Sequence, residues 1–261
     1  MRPARSADGP AWVTGATAGI GRATALHLVA RGWRVIATAR GAEALAALAR
    51  AHPDRIFPAP ADITDAAALA AALTAAEARA GSPVALAVLN AGTYEPMDAA
   101  AFDLARFRRQ IEVNLLGTAH SLAAVMPGMI GRGQGQIGIV ASVAGYRGLP
   151  TSLAYGPSKA ALINLAEALR LELAPHGVMA SLIDPGFVRT PLTDANRFPM
   201  PFLMEPEAAA ARLVRGLASG RFETTFPRRF TWAMKLLRIL PYPLYLALAR
   251  RTVPDRPRAP S

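Results

Sequence analysis

Three side chains within residues 142–159 have the types and spacing of an acid–base site. Tyr155 and Lys159 stand four residues apart, so on a helix both would point to one face. A cation close to a phenol favours its ionised form, so we expect Lys159 to lower the pKa of Tyr155 toward the working range. Ser142 follows an apolar run and is expected at a strand end, where its hydroxyl could donate to a developing oxyanion. The pattern predicts general acid catalysis by Tyr155.

The scarcity of lysine supports this interpretation. Of 29 basic residues, only Lys159 and Lys235 are lysines. Because lysine is so rare in this chain, a lysine one helical turn after a tyrosine is less easily explained as an ordinary surface residue. The alternative is an ordinary amphipathic helix with Tyr155 and Lys159 on its solvent face. No metal site is predicted, because the chain has no cysteine and its four histidines lack metal-ligand spacing. The histidines are His27, His52, His120 and His176.

Strand and helix patterns alternate along the chain and predict one doubly wound, Rossmann-type parallel α/β sheet of about seven strands, with helices on both faces. Pro58 and Pro60 place the third strand at the sheet edge, because proline is not tolerated in central strands. The predicted strands are 11–14, 33–39, 55–61, 84–89, 136–141, 178–183 and 221–226. The predicted helices run from the glycine loop to residue 30 and over 43–51, 66–80, 102–130, 155–174 and 205–219.

A glycine-rich loop joins the first predicted strand to a helix, which is the context in which such a loop binds phosphate. Gly15 permits the tight turn, Gly19 lets the backbone approach a pyrophosphate, and Gly21 allows close packing of helix and strand. The spacing is Gly-x-x-x-Gly-x-Gly rather than Gly-x-Gly-x-x-Gly, so a plain glycine-rich turn is the alternative. The expected cofactor contacts in this loop are Gly15, Thr17, Ala18, Gly19, Ile20 and Gly21.

The end of the second predicted strand bears on the choice of cofactor. A free ribose 2′-hydroxyl usually meets an Asp or Glu there, whereas a cation suits a 2′-phosphate. This chain has Ala39 followed by Arg40. We therefore expect NADP(H) in preference to NAD(H). The alternative is that Arg40 only introduces the next helix of an arginine-rich chain.

Residues after other predicted strands extend the cleft. Asp62 and Ile63 follow the third strand, where Asp62 either contacts the adenine or caps a turn. The small residues 90–92 leave room for a ligand beyond a central strand. Asn114, in the interior of a predicted helix, is either a member of a polar network or a surface residue. The irregular, proline-rich segment before residue 205 is expected to form a mobile lid.

These motifs together resemble the short-chain dehydrogenase/reductase family over residues 11–226. The matching positions are Thr14, Gly15, Gly19, Ile20, Gly21, Asn90, Ala91, Gly92, Asn114, Ser142, Tyr155, Lys159, Pro185, Gly186 and Thr190. The resemblance implies an NAD(P)-dependent oxidoreductase in which Tyr155 passes the proton and Ser142 holds the carbonyl oxygen. It implies that Lys159 binds the nicotinamide ribose and lowers the tyrosine pKa, and that Asn114 holds a relay water. Many members are dimers or tetramers, which implies a homo-oligomer. It implies that Asn90, Gly92, Val188 and Thr190 line the cofactor. The further cofactor contacts that we expect are Asp62, Ile63, Ala91, Tyr155, Lys159, Pro185 and Gly186.

Residues 227–261 differ in composition from the body, residues 1–226. Eight basic residues stand there against one acidic residue, a net +7 of the chain's +11. The body has no basic stripe with interleaved aromatic residues, so nucleic acid is not an expected partner. We expect a dinucleotide-binding and catalytic domain over 1–226 and a basic, apolar, amphipathic helical extension over 227–261.

The extension could serve three purposes. A helix over residues 230–240 places Thr231, Lys235 and Arg238 on one face, with apolar side chains on the rest. Such a helix suits a membrane interface, reached through residues 228–251, but a dimer contact or a cover over an apolar substrate pocket remain as alternatives. No secretory signal and no uninterrupted apolar run of bilayer-spanning length is seen. The expected location is the cytoplasm, at the inner face of the membrane where the extension binds it.

The main functional hypothesis is an NADP(H)-dependent oxidoreductase that interconverts a carbonyl and an alcohol. The apolar C-terminal third favours a lipophilic aldehyde or ketone as the small-molecule substrate. A hypothesis from another class is a non-catalytic dinucleotide-binding sensor or membrane-surface scaffold, which would have no need to retain the acid–base set. A nucleotide-sugar epimerase is a third hypothesis, and the glycine spacing and the modest length after Lys159 argue against it.

Overall fold

The computed structural model describes residues 1–195 and 200–251. Within those residues, seven parallel strands form one sheet in the order β3-β2-β1-β4-β5-β6-β7. The prediction of a single doubly wound parallel sheet is confirmed. The strands are β1 (Ala11–Thr14), β2 (Val35–Thr38), β3 (Ile56–Pro58), β4 (Leu86–Leu89), β5 (Gly135–Val140), β6 (Val178–Pro185) and β7 (Glu223–Phe226).

Helices cover both faces of the sheet. The α-helices of the body are α1 (Gly19–Ala30), α2 (Ala42–Ala51), α3 (Ala66–Ala80), α4 (Leu104–Ile111), α5 (Gly117–Arg132), α6 (Tyr155–Glu172) and α7 (Pro206–Ala218). One apolar core lies between the sheet and helices α1, α2 and α7. A second lies between the opposite face and helices α3, α5 and α6. Because both faces are covered, the central strands are buried, as their continuous apolar runs predict.

The edge position of β3 follows from its sequence. This strand pairs only with β2 among the described residues and ends at Pro58. Proline has no N–H to donate to a neighbouring strand, so it is tolerated in an edge strand, which has no neighbour on one side. The two prolines therefore predict the position of β3 correctly.

Helices α4 and α5 are joined by a wider π-helical turn, Glu112–Leu116, so the predicted helix over 102–130 is continuous but irregular. By length and composition alone, the stretch Leu104–Arg132 is long and apolar enough to cross a membrane. It holds no uninterrupted apolar run of that length, because polar residues such as Asn114 and His120 interrupt it. In the fold, α5 packs against α3 and the sheet, so this stretch is a core helix.

The extension folds as two helices, α8 (Arg228–Ile239) and α9 (Tyr242–Arg250). Helix α8 lies against β7, and the polar face expected from the sequence is turned toward the body. Thr231 is fully buried and donates to the hydroxyl of Thr225 at 3.0 Å. Lys235 pairs with Glu223 of β7. An amphipathic helix on a soluble body normally buries its apolar face, and α8 exposes much of it instead.

Candidate active site

A cavity of about 720 Å³ opens at the carboxyl ends of the strands, beside the switch from β1 to β4. In an open α/β sheet this is where a ligand is expected, because the chain leaves neighbouring strands there in opposite directions. All the predicted site residues line this cavity except Gly21 and Asn114, which lie just behind its wall. The residues that line it without having been predicted include Thr93, Glu95, Arg109, Val113, Leu192 and Thr193.

The glycine loop after β1 requires glycine at each position for a different reason. Gly15 has φ +69°, and a Cβ there would lie 3.0 Å from the Cα of Ala91. Gly19 has φ +49°, and a Cβ there would lie 2.7 Å from the side chain of Thr190. A Cβ on Gly21 would lie 2.2 Å from the carbonyl oxygen of Gly15, so this glycine allows α1 to pack against the loop. The loop is shaped by backbone approach, as the spacing indicates.

The N-terminus of α1 is open toward the cavity. No side chain caps it, and Ala18, Gly19 and Ile20 all line the cavity. The first N–H groups of a helix have no intrahelical acceptor, and together with the helix dipole they favour an anion. The residues present therefore fit the pyrophosphate of a dinucleotide.

Hydrogen bonds fix the end of β4 against the end of β1. The hydroxyl of Thr14 accepts from the backbone N–H groups of Asn90 and Ala91, each at 3.0 Å. The side-chain amide of Asn90 donates to the carbonyl of Thr14 at 3.1 Å. These contacts hold the loop 90–92 open as one wall of the cavity.

The acid–base set comes together at the inner end of the cavity. Helix α6 begins at Tyr155, and Lys159 lies one turn later on the same face. The Nζ atom of Lys159 lies 5.6 Å from the centroid of the Tyr155 ring and donates to the carbonyl of Val140 at 2.9 Å. Ser142 follows β5, accepts the N–H of Ala144 at 3.1 Å and hydrogen-bonds the Tyr155 side chain. The alternative of a solvent-facing Tyr and Lys is wrong, because Lys159 is buried.

The pKa of the phenol moves opposite to the sequence expectation. Burial raises the pKa of Tyr155 to about 12, although its hydrogen bond with Ser142 acts in the lowering direction. Burial also lowers the pKa of Lys159 to about 8, with Asp184 opposing that shift. Desolvation disfavours the charged form of each group, and it is the largest cause of both pKa shifts. In the protein without its cofactor, Tyr155 is therefore a firmly protonated acid.

Asn114 is a member of a buried polar network, which settles the choice left open by the sequence. Its side-chain oxygen accepts from the N–H of Thr93 at 2.7 Å. Its amide donates to the carbonyl of Thr93 and to the hydroxyl of Ser158, each at 3.0 Å. Both amide protons are thus used, and only the oxygen retains a free lone pair. A Cβ on Gly92 would lie 3.1 Å from that oxygen and 3.6 Å from the Nζ of Lys159.

Arg40 and Asp62 lie together at the outer end of the cavity. Asp62 accepts from the N–H and the hydroxyl of Thr64, at 2.9 and 2.8 Å. These hydrogen bonds, the backbone one first, and the charge of Arg40 hold the pKa of Asp62 below its usual range. Asp62 therefore caps a turn and also faces the cavity, so the two interpretations of this residue are compatible.

The irregular segment before α7 forms part of the opposite wall. Thr193 accepts from the N–H of Thr190 at 2.9 Å and donates to the carbonyl of Val188 at 2.8 Å. Leu192 lines the cavity and is partly exposed. Residues 196–199 of the predicted lid lie outside the described residues.

Tyr94 is the residue of this site that sequence reasoning missed most clearly. Its ring meets that of Tyr155 edge-on, with centroids 4.9 Å apart and an interplanar angle of 69°. It lies in a loop with no periodic pattern, just after the small residues 90–92. Only its position, directly after the predicted ligand-binding residues 90–92, could have indicated from the sequence that it lies at this site.

The sheet order, the cavity at the switch point and the glycine loop at a helix N-terminus define a dinucleotide-binding α/β protein. Comparison with known proteins makes this more specific. The family profile described as short chain dehydrogenase matches residues 10–199. The chain therefore belongs to the short-chain dehydrogenase/reductase family and is an NAD(P)-dependent oxidoreductase.

Three relatives show how far this similarity extends. An uncharacterized oxidoreductase of Myxococcus xanthus is 41% identical over 244 residues, which covers 92% of this chain and 96% of that protein. A 2-dehydro-3-deoxy-L-rhamnonate dehydrogenase (NAD(+)) of a Sphingomonas strain is 35% identical over 183 residues, covering 70% of this chain and 73% of that protein. The crystal structure of a Burkholderia cenocepacia short chain dehydrogenase in complex with NADP has a TM-score of 0.80 at 29% identity, covering 92% and 97% of the two chains.

Proposed function

We propose that this protein is an NADPH-dependent carbonyl reductase whose proton donor is Tyr155. The observation that carries the proposal is a half-buried, protonated phenol, hydrogen-bonded to Ser142 at the end of a dinucleotide-sized cavity, with Lys159 behind it. When bound, the reduced nicotinamide supplies a hydride. The chain must then hold the carbonyl oxygen and deliver one proton to it.

Each member of the set has one task in this proposal. Ser142 and Tyr155 hydrogen-bond the carbonyl oxygen, which stabilises the negative charge that develops there. Tyr155 then passes its proton to that oxygen. Lys159 provides a fixed positive charge below the phenol, and its remaining protons can reach the ribose hydroxyls of a bound dinucleotide. Asn114 keeps Thr93 and Ser158 in place and offers one lone pair to a water.

Replacement of Tyr155 tests the proton transfer directly. Tyr155→Phe removes the transferable proton and keeps the ring, so turnover is expected to fall by at least ~10²-fold while NADPH still binds. Turnover is followed by NADPH oxidation, and binding by the fluorescence of the bound cofactor. Tyr94→Phe is the matched control, since it removes a neighbouring phenol hydroxyl that has no assigned role in the reaction. An unchanged rate in Tyr155→Phe would exclude Tyr155 from the mechanism.

The preference for NADPH is proposed from the end of β2, where Arg40 lines the cavity and no acidic residue occupies the corresponding place. The bound NADP of the Burkholderia relative supports it. The Sphingomonas relative, whose name specifies NAD(+), shows that similar proteins differ in this respect.

An exchange at Arg40 tests this preference. Hydrogen bonds to charged groups contribute about 1.5–3 kcal/mol, so Arg40→Ala should raise the KM for NADPH about tenfold or more and leave that for NADH little changed. Arg50→Ala, an exposed arginine on the neighbouring helix α2, is the control. Equal losses with both cofactors would indicate a structural role for Arg40 instead.

A lipophilic aldehyde or ketone is proposed as the substrate. Apolar Val113 and Leu192 line the same cavity as Tyr155, and the ring of Tyr94 packs edge-on against that of Tyr155. Each buried methylene contributes about 0.8 kcal/mol, which predicts roughly fourfold higher kcat/KM per added carbon in a series of n-alkanals. Faster turnover of small polar ketones, or of 2-dehydro-3-deoxy-L-rhamnonate, than of decanal would exclude this substrate class.

A further inference from the structure

Helix α8 exposes a strip of large apolar side chains on its outer face. Trp232, Leu236 and Ile239 follow one another at helical spacing and are 64%, 61% and 77% exposed. Helix α9 adds exposed side chains: Tyr242, Leu244, Leu246 and Leu248. We call residues 232, 236 and 239 the apolar strip. Contiguous exposure of this kind marks an interaction surface rather than ordinary surface variation.

The strip is presented by a firmly docked helix. Thr231 and Lys235, on the neighbouring face of α8, are bonded to the body through Thr225 and Glu223. Met234 is buried in the core under α8. The helix therefore cannot rotate its apolar strip inward without breaking a buried hydrogen bond and an ion pair.

A strongly cationic cavity of about 970 Å³ adjoins the strip and shares Trp232 with it. Among the described residues that line it, Glu223 alone is acidic, and it forms an ion pair with Lys235. Within the described part of the chain, five arginines line it without an ion pair. These are Arg212, Arg215, Arg221, Arg228 and Arg229. From residue 227 to residue 251 the sequence has no acidic residue at all.

We propose that the apolar strip and the arginine cavity dock onto an anionic lipid bilayer. The arginines take headgroup phosphates, and Trp232, Leu236 and Ile239 enter the interfacial layer. Arginine matches the geometry of phosphate oxygens. Tryptophan and tyrosine suit the boundary between headgroups and acyl chains. A wide apolar face beside basic residues is the composition of a helix that lies in the interface.

Charge decides against the other occupants. A two-fold contact with a second copy would bring this patch against itself, and so would set arginines against arginines with no acidic residue to pair them. A soluble polyphosphate would fill the cavity and leave the apolar strip in water. Only an anionic surface with an apolar interior satisfies both features. A homo-oligomer, if formed, would use another face.

Docking here is independent of the proposed reaction, but the two fit together. Arg147, in the loop between Ser142 and Tyr155, donates to the carbonyl groups of Leu237 and Leu240. The docked extension would therefore hold this loop close to the lipid. Provided that the proposed function holds, a lipophilic carbonyl would reach the cleft from the bilayer.

Co-sedimentation of the full-length protein with sucrose-loaded vesicles tests the docking without measuring activity. Vesicles of 30% phosphatidylglycerol in phosphatidylcholine are expected to bind at least tenfold more tightly than phosphatidylcholine alone, with the difference reduced by salt. The triple exchange Trp232→Ser, Leu236→Ser and Ile239→Ser should lower binding at least tenfold at every salt concentration. The double exchange Arg228→Ala and Arg229→Ala should reduce the preference for the anionic lipid.

Matched controls are available elsewhere on the surface. Leu171→Ser replaces an apolar residue that is 75% exposed on α6, and Arg50→Ala with Arg108→Ala removes two exposed arginines. Neither control should alter vesicle binding. If the triple variant does not fold, the single exchanges Trp232→Ser and Ile239→Ser replace it in the same vesicle-binding measurement, and each should lower binding.

Three results would overturn the proposal. The first is absent or lipid-independent sedimentation. The second is a dimer, seen by light scattering, that the strip exchanges dissolve without any vesicle binding. The third is binding of inorganic pyrophosphate at the arginines while vesicles stay unbound.

Discussion

Burial acts on the two titrating residues of the site in opposite directions. It raises the pKa of Tyr155 to about 12 and lowers that of Lys159 to about 8. At neutral pH the phenol is therefore protonated and the ammonium still charged. A protonated donor beside a positive charge suits reduction, in which the proton leaves the enzyme. Oxidation needs the phenolate, so it should become efficient only at higher pH.

The pKa of Lys159 predicts a pH limit for reduction. Because the folded pKa lies below the ordinary value, the charged form is complete below about pH 8 and is lost above it. If the ammonium is required, kcat/KM for reduction should be level from pH 6 to about 8 and then fall up to tenfold per pH unit. Initial rates with NADPH between pH 6 and 10 measure this. A decline that begins only above pH 10 would mean that Lys159 titrates like an exposed lysine.

At the scale of elements, the strand pattern was predictable and the local geometry was not. Continuous apolar runs identified the central strands, and two prolines identified the edge strand β3. The π-helical turn at Glu112–Leu116 has no periodic signature, because it depends on Asn114 reaching Thr93 and Ser158 across the fold. Such a turn widens the helix locally and is retained where its side chains have a task.

A buried cluster at the end of β6 was also absent from the sequence analysis. The phenol of Tyr146 lies 3.0 Å from a carboxyl oxygen of Asp184 and 3.1 Å from one of Glu223. A phenol has one proton, so both contacts can be hydrogen bonds only if one carboxyl group is protonated. Glu223 forms an ion pair with Lys235, whereas Asp184 is fully buried and has no ion pair among the described residues, which assigns the proton to Asp184. Burial accordingly raises the pKa of Asp184 to about 7.

This cluster predicts a loss of stability with rising pH. The folded pKa of Asp184 lies above its unfolded value of 3.8, so its contribution is complete below about pH 4 and is lost as pH rises to about 7. Between pH 5 and 8 the loss should be about 2–3 kcal/mol. Asp184→Asn cannot ionise and should remove most of it, as measured by urea unfolding at both pH values. Asp54→Asn, at an exposed position, is the control. Equal pH dependence in both variants would contradict the assignment.

For the whole molecule, the body could be predicted far better than the extension. The motifs in residues 11–226 predict which residues lie close together at the strand ends, because a parallel sheet brings the carboxyl ends of its strands to one edge. The extension has a clear helical pattern but no rule that says which face docks. Its polar face could find partners in Thr225 and Glu223 only once β7 was in place. The sequence showed an amphipathic helix and could not show that its apolar face lies outside.

Arg147 links the extension to the active-site loop, which predicts a variant that loosens one from the other. Its guanidinium lies 4.7 Å from the ring centroid of Tyr242 and 4.6 Å from that of Tyr245, while it donates to carbonyl groups at the end of α8. Arg147→Ala should loosen the end of α8 and the whole of α9 without unfolding the sheet. Limited trypsin digestion should then cut at Arg238 several-fold faster than in the wild type, as followed by mass spectrometry.

The same variant tests whether Arg147 links the extension to the active-site loop or stabilises the whole fold. The sheet and the glycine loop do not depend on Arg147, so NADPH affinity should stay the same while the KM for a long-chain aldehyde rises. Arg108→Ala removes an exposed arginine from α4 and should change neither quantity. If trypsin cut the body and the extension at equally increased rates, Arg147 would stabilise the whole fold. The active-site loop and the C-terminal helices would then have no coupling of their own.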